Sequence, residues 1–196
     1  NQISDPVEKF AIQFSHPEWI VSSYFDSLKL QNEVEDLLRA NNLPARPTLI
    51  AWPGRSTQSE LVEAGATVIE GSVVAASYDG DPGDIDAIRE RRAGVQDLGS
   101  QIVVERFLQT YQPGLRWLDL CAGPGGKAAY LSSYINLHEG EFVANEVSSE
   151  RAKLVAQVVE KSEVINHDGR KLPNEIGSFD RILIDAPCTG IGALRR

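Results

Sequence analysis

The stretch Trp117-Leu118-Asp119-Leu120-Cys121-Ala122-Gly123-Pro124-Gly125-Gly126-Lys127 constrains the fold of this chain more than any other. Its apolar start reads as a buried strand, and its end reads as the first turn of a helix. Three glycines and a proline lie between. Glycine takes positive φ without strain and lets a ligand approach the main chain. The amides that follow face a helix N-terminus, where partial positive charge collects. A parallel α/β sheet holds a nucleotide-like cofactor in this way. A plain tight strand-to-helix connection looks the same, so the flanking sequence has to decide.

Strands and helices alternate around the turn. A helix carrying Ile102, Val103, Phe107 and Leu108 precedes the strand Arg116–Leu120, and a helix from about Lys127 to Asn136 follows it. Phe142–Val147 reads as a second strand. Ser148 or Ser149 caps a helix whose Ala152, Val155 and Val159 share one face. Val164–Asn166 is a short third strand. Phe179–Ile184 is a fourth, apolar enough to be buried in a parallel sheet. This order predicts the α/β class with a doubly wound parallel sheet. Ligands bind such sheets at the C-terminal ends of the strands, and four acids fall there: Asp119, Glu146, Asp168 and Asp185. Glu146 lies where a carboxylate accepts both ribose hydroxyls, and Asp168 lies where the base of the same nucleoside would be met. Asp119 is a secondary candidate that orients the turn through backbone amides.

The first part of the chain differs in character. The formal net charge is −9. Residues 1–90 hold 15 acids and 6 Lys/Arg, whereas residues 91–196 hold 13 of each. A polyanion such as RNA would therefore not bind residues 1–90 by net charge. Residues 1–14 read as a lead-in. A helix starts at Ser15-His16-Pro17-Glu18 with capping-box spacing, and a second runs over 32–40. The strand Arg46–Trp52, a short helix capped by Thr57, one or two strands within Thr67–Ser77 and a helix from Asp81-Pro82 to about Arg91 complete a small α+β domain. The expected domains are 1–92 and 93–196. No apolar run approaches the roughly 20 residues that span a membrane. Only two cysteines occur, Cys121 and Cys188, without metal-ligand spacing. That pattern predicts no metal and no disulfide, in a reducing cytoplasm.

Asp185-Ala186-Pro187-Cys188-Thr189-Gly190 is the second informative stretch. Pro187 fixes the backbone, so Asp185 and Cys188 project from a defined loop after the fourth strand. Asp185 could bond an exocyclic amine or a cofactor amino group. Cys188, as a thiolate, could act on an electrophilic ring carbon. The alternative is a buried structural cysteine. Cys121 places its backbone near a cofactor, with nothing to activate its thiol.

Leu118–Lys127 resembles the cofactor motif of the Sun/RsmB family of RNA cytosine-5 methyltransferases. Asp185–Gly192, running into Leu194-Arg195-Arg196, resembles the same family. So do Gln96-Asp97 with Gly99-Ser100-Gln101, at the family's entry to the catalytic domain, and Asp168-Gly169-Arg170 in its third-strand motif. The resemblance implies a Rossmann-like class I methyltransferase domain and S-adenosylmethionine as cofactor. Cys121, Ala122, Gly123, Pro124, Gly125, Gly126 and Lys127 would hold the methionine part, Glu146 the ribose and Asp168 the adenine. Asp185 would lie between the cofactor and the target base. The implied reaction is methylation of C5 of cytosine in RNA, ribosomal RNA for the RsmB-like branch. A thiolate adds to C6, C5 attacks the methyl group, and loss of the C5 proton expels the thiol. The base must first be unstacked.

In the family the attacking cysteine belongs to a later Thr-Cys motif, and the cysteine at the position of Cys188 serves product release. These 196 residues hold no such later motif. The expectation is a sheet cut after its fourth strand and a stretch that does not methylate alone. Two other readings compete. A nicotinamide-dependent dehydrogenase would want Gly-x-Gly-x-x-Gly, whereas this turn is Gly-Pro-Gly-Gly. A non-catalytic RNA-binding or assembly factor would keep the fold, but the intact Asp-Ala-Pro-Cys motif argues against it.

Overall fold

The computed structural model describes residues 3–28, 30–43 and 46–188. They fall into two compact units, one of three helices and one that begins at Arg46. In the first unit, α1 (Pro6–Phe14), α2 (Glu18–Ser27) and α3 (Gln31–Asn41) close on Phe10, Phe14, Val21, Val34 and Leu38. The expected lead-in is thus a helix. Asp5 caps α1 by accepting from the Val7 amide at 2.9 Å, and Pro6 suits its first turn. The expected capping box at Ser15 is also corrected. Ser15 ends α1 in the left-handed region (φ 53°), and Pro17 is the residue that precedes α2.

The second unit starts with an antiparallel sheet in the order β2-β3-β1-β4, built from β1 (Thr48–Ala51), β2 (Thr67–Val68), β3 (Ala75–Ser77) and β4 (Ala93–Val95). The change of character expected at Ala93 therefore falls after Val95. Ala93, Gly94 and Val95 pair with Ala51, Ile50 and Leu49 and belong to this sheet. Side chains of β1 alternate between its two faces. Leu49 and Ala51 pack with Leu61 of α4 (Gln58–Glu63) and with Ile85 and Ala87 beside and in α5 (Asp86–Arg89). Ile50 and Trp52 point the other way, into the main core.

That core lies beneath a parallel sheet in the order β7-β6-β5-β8, formed by β5 (Arg116–Asp119), β6 (Glu141–Asn145), β7 (Glu163–Ile165) and β8 (Arg181–Leu183). Trp117, Phe142, Ala144 and Leu183 meet α6 (Leu98–Leu108) and α7 (Gly126–Leu137) on one face. Val155 of α8 (Ser149–Ala156) joins that same cluster, whereas Leu118, Val143 and Ile165 are buried on the other face with Leu120, Leu172 and Phe179 packed against them. The fourth strand is less buried than its apolar sequence suggests. Leu183 is 9% exposed, but Ile182 is 47% and Ile184 63%. Successive strands from β5 run outward to β6 and β7, while β8 returns to the other side of β5. The switch point of the fold therefore lies between the ends of β5 and β8, where open α/β sheets bind ligands.

Candidate functional site

Both informative loops arrive at this switch point. The glycine turn leaves β5, and the Asp185 loop leaves β8. Together they wall a cavity of about 110 Å³ lined by Asp119, Cys121, Ala122, Gly123, Pro124, Gly126, Lys127 and Asp185, with Gln96 and Ser100 from the entry to α6. Lys127 Nζ lies 2.7 Å from Asp185 Oδ2, so an ion pair joins the start of α7 to the loop after β8.

The turn is shaped by contacts only glycine permits. A Cβ on Gly123 would stand 2.3 Å from Glu146 Oε2. Gly125 has φ +121°, and a Cβ there would stand 2.7 Å from Val158 Cγ2. The Gly123–Pro124 peptide is cis. By contrast, a Cβ on Gly126 would meet nothing closer than Gln96 Cδ at 3.9 Å.

Glu146 is the turn's brace. It is only 2% exposed. It accepts from the Gly123 amide and the Ser148 amide, each at 2.9 Å, and from Arg151 Nη2 at 2.7 Å. Neighbouring Asn145 ties the strand ends together. Its Nδ2 donates to the carbonyls of Leu120 (2.9 Å) and His167 (3.1 Å), and its Oδ1 accepts from the His167 amide at 3.0 Å. Asp168 sits at the end of β7, half-exposed, gripped by Arg170 at 2.7 Å. The Arg170 hydrogen bonds hold its carboxyl down at about 2. Neither Glu146 nor Asp168 lines the cavity, which gathers the turn, Asp119 and Asp185 instead.

Asp119 is 1% exposed because the two-residue period of β5 puts it on the same buried face as Trp117. Burial pushes its carboxyl up to about 7. A hydrogen bond from the Cys121 amide opposes this, Asp185 adds to it, and Lys127 counters it. The Cys121 thiol is held up by burial and then by the carboxylates of Asp119, Glu146 and Asp185, which keeps it protonated. Cys188 is exposed. Thr189 to Arg196, the rest of the second motif, lies outside the described residues. Gln96, Ser100, Asn145 and Arg151 were not among the candidate residues. Gln96 and Ser100 stand in the entry segment, but only the tertiary fold brings that segment to the turn. Among the described residues there is no cluster of three or more His, Cys, Asp or Glu that could hold a metal. No helix there is long and apolar enough to cross a membrane.

Residues 107–196 match the family described as 16S rRNA methyltransferase RsmB/F. The Mycobacterium tuberculosis protein Rv1407, whose name says methyltransferase without a substrate, is 40% identical over 98% of this chain and 44% of its own. The ribosomal RNA small subunit methyltransferase B of Pseudomonas syringae is 30% identical over 98% of this chain and 44% of its own. The human 28S rRNA (cytosine(4447)-C(5))-methyltransferase is 30% identical over 95% of this chain and 24% of its own. The chain thus spans less than half the length of these relatives. The crystal structure of PH0851 superposes with a TM-score of 0.79 over 98% of this chain and 46% of that one, at 24% identity. It shares the fold.

Proposed function

We propose, from the match of residues 107–196 to the RsmB/F methyltransferase family, that the protein carrying this chain methylates C5 of a cytosine in RNA, and in ribosomal RNA first of all. The cofactor of this reading is S-adenosylmethionine. The observation that carries the reading is the meeting of the glycine turn and the Asp185 loop in one cavity, joined by the Lys127–Asp185 pair.

The residues present fit such a cofactor. At about 110 Å³ the cavity is below the roughly 300–1,000 Å³ of a full small-molecule pocket, so it takes one end of an elongated ligand. Cys121–Lys127 would hold the methionine end of such a cofactor, Glu146 its ribose and Asp168 its adenine. Bound S-adenosylmethionine supplies a methyl group on an electron-poor sulfur. Asp185, fixed by Lys127, accepts a hydrogen bond from the exocyclic amine of the unstacked cytosine and so orients C5. Cys188 follows on the same loop and serves release of the product. The cysteine that adds to C6 is assigned, by the resemblance, to a Thr-Cys motif outside these residues.

The test therefore uses the full-length protein. With tritiated methyl donor and unmodified ribosomal RNA, it should transfer label to cytosine C5. Cys188→Ala should accumulate a denaturant-stable protein–RNA adduct, since addition proceeds and release does not. Cross-linking to RNA with no methyl transfer under any condition would overturn the enzymatic reading in favour of a binding or assembly factor.

A further inference from the structure

One wall of the cavity remains without a role. Gln96 supplies it from the junction between β4 and α6. Its backbone is pinned on both sides. The Gln96 amide donates to the Thr48 carbonyl of β1 at 2.9 Å, and the Gln96 carbonyl accepts from Gln101 Nε2 at 2.9 Å. Gln96 is 7% exposed, and its buried side-chain Oε1 and Nε2 both lack a hydrogen-bond partner. It stands over the first residue of α7, with Cδ 3.9 Å from the position of a Cβ on Gly126.

Burying both ends of an amide unpaired is costly, whereas an apolar side chain in the same place would carry no such penalty. The two ends also demand a particular ligand group. Nε2 needs an acceptor, and Oε1 needs a donor beside it. An amino-acid zwitterion offers both, its carboxylate to Nε2 and its ammonium to Oε1. Lys127 and Asp185 around the same cavity provide charges of both signs for such a group. A ribose or a base edge is a poorer candidate, because the residues assigned to them, Glu146 and Asp168, lie outside this cavity.

We propose that Gln96 is a specificity residue that grips the amino-acid end of the cofactor, so that the antiparallel sheet takes part in reading it. This rests on the cofactor reading above. Calorimetry on the full-length protein tests it with two ligands, S-adenosylhomocysteine and 5′-methylthioadenosine. They share the nucleoside and the thioether, and only the first has an amino-acid end. The parent protein should prefer the first. Gln96→Leu should weaken S-adenosylhomocysteine about 10- to 100-fold, as loss of charge-assisted hydrogen bonds does, and leave 5′-methylthioadenosine within about twofold. The ligand-free variant should melt no lower than the parent, because an unpaired amide has been removed. If it melts lower, Gln96→Met, of similar length and without the amide, is read by the same comparison. Equal losses for both ligands, or no loss for either, overturn the proposal while leaving the cofactor reading intact. A parent protein that binds neither ligand overturns both.

Discussion

Asp119 shows how a single position reconciles two demands. β5 must bury its side chains to hold the sheet, yet the end of β5 must present a polar group to the cavity. The carboxyl is buried, and burial, the largest cause, raises its pKa from 3.8 to about 7. An acid whose folded value is raised binds more protons folded than unfolded between those two values. Stability from this group is therefore present at low pH and is lost as pH rises from about 4 to about 7. Asp119→Asn keeps the acceptor for the Cys121 amide and cannot ionise. The variant should be more stable than the parent at pH 8, by up to a few kcal/mol given ~1.4 kcal/mol per pKa unit. The advantage should shrink towards pH 4, as followed by urea unfolding at several pH values. Equal pH profiles for the two proteins would show that Asp119 is ionised without cost. None of this was legible in the sequence. Asp119 could be placed at a strand end from its neighbours, but whether water reaches it depends on the tertiary packing around the sheet.

At the scale of the element, the glycine turn divides into positions that need glycine and one that does not. Gly123 gives Glu146 room to accept its amide, and a methyl there would displace the carboxylate. Gly123→Ala should cost about 1–3 kcal/mol by leaving buried polar groups unpaired, and should reduce cofactor binding with it. Gly126 starts α7 with only ordinary contacts around it. Gly126→Ala should be neutral or stabilising by up to about 1 kcal/mol, in line with helix propensity. Thermal melts of the two variants decide the point, and similar losses would mean that the turn is uniformly tight. The presence of the turn, its strand and its helix was plain from residue order. So were the strands on either side, because the parallel sheet repeats one local pattern. Elements without such a pattern were harder to read. Ala93-Gly94-Val95 is a strand only because β1 pairs with it, which is the context dependence of β-propensity. α1 carried its signal, Asp5-Pro6, at the edge of the chain, where it was read as a lead-in.

At the scale of the whole molecule, the unit that begins at Arg46 joins an antiparallel sheet to a parallel one, and the functional reading depends on that union because Gln96 reaches the cavity from the first sheet. Two kinds of contact make the union. Ile50 and Trp52 enter the core shared with Trp117 and α7. Beside the Gln101 Nε2 hydrogen bond to the Leu49 carbonyl of β1, Arg55 supplies one polar link. Its side chain is 9% exposed, its Nη1 donates to the Val158 carbonyl at 2.8 Å, and its guanidinium lies 5.3 Å from the Trp52 ring. Burial lowers its pKa, and Glu160, at 3.7 Å, offsets part of that. Arg55→Met keeps the apolar stem and removes the donor, which leaves a carbonyl without its partner. The expected loss is about 1–3 kcal/mol. Arg39→Met is the control, since Arg39 pairs with Glu35 on the exposed face of α3 and such pairs contribute well under about 1 kcal/mol. Hydrogen exchange should then show residues of β1 and β4 losing protection before those of β5 and β6 in Arg55→Met, as the first sheet opens ahead of the second. Uniform loss of protection across both sheets, or a cost no larger than that of Arg39→Met, would mean that the Arg55 link is not needed to unite them.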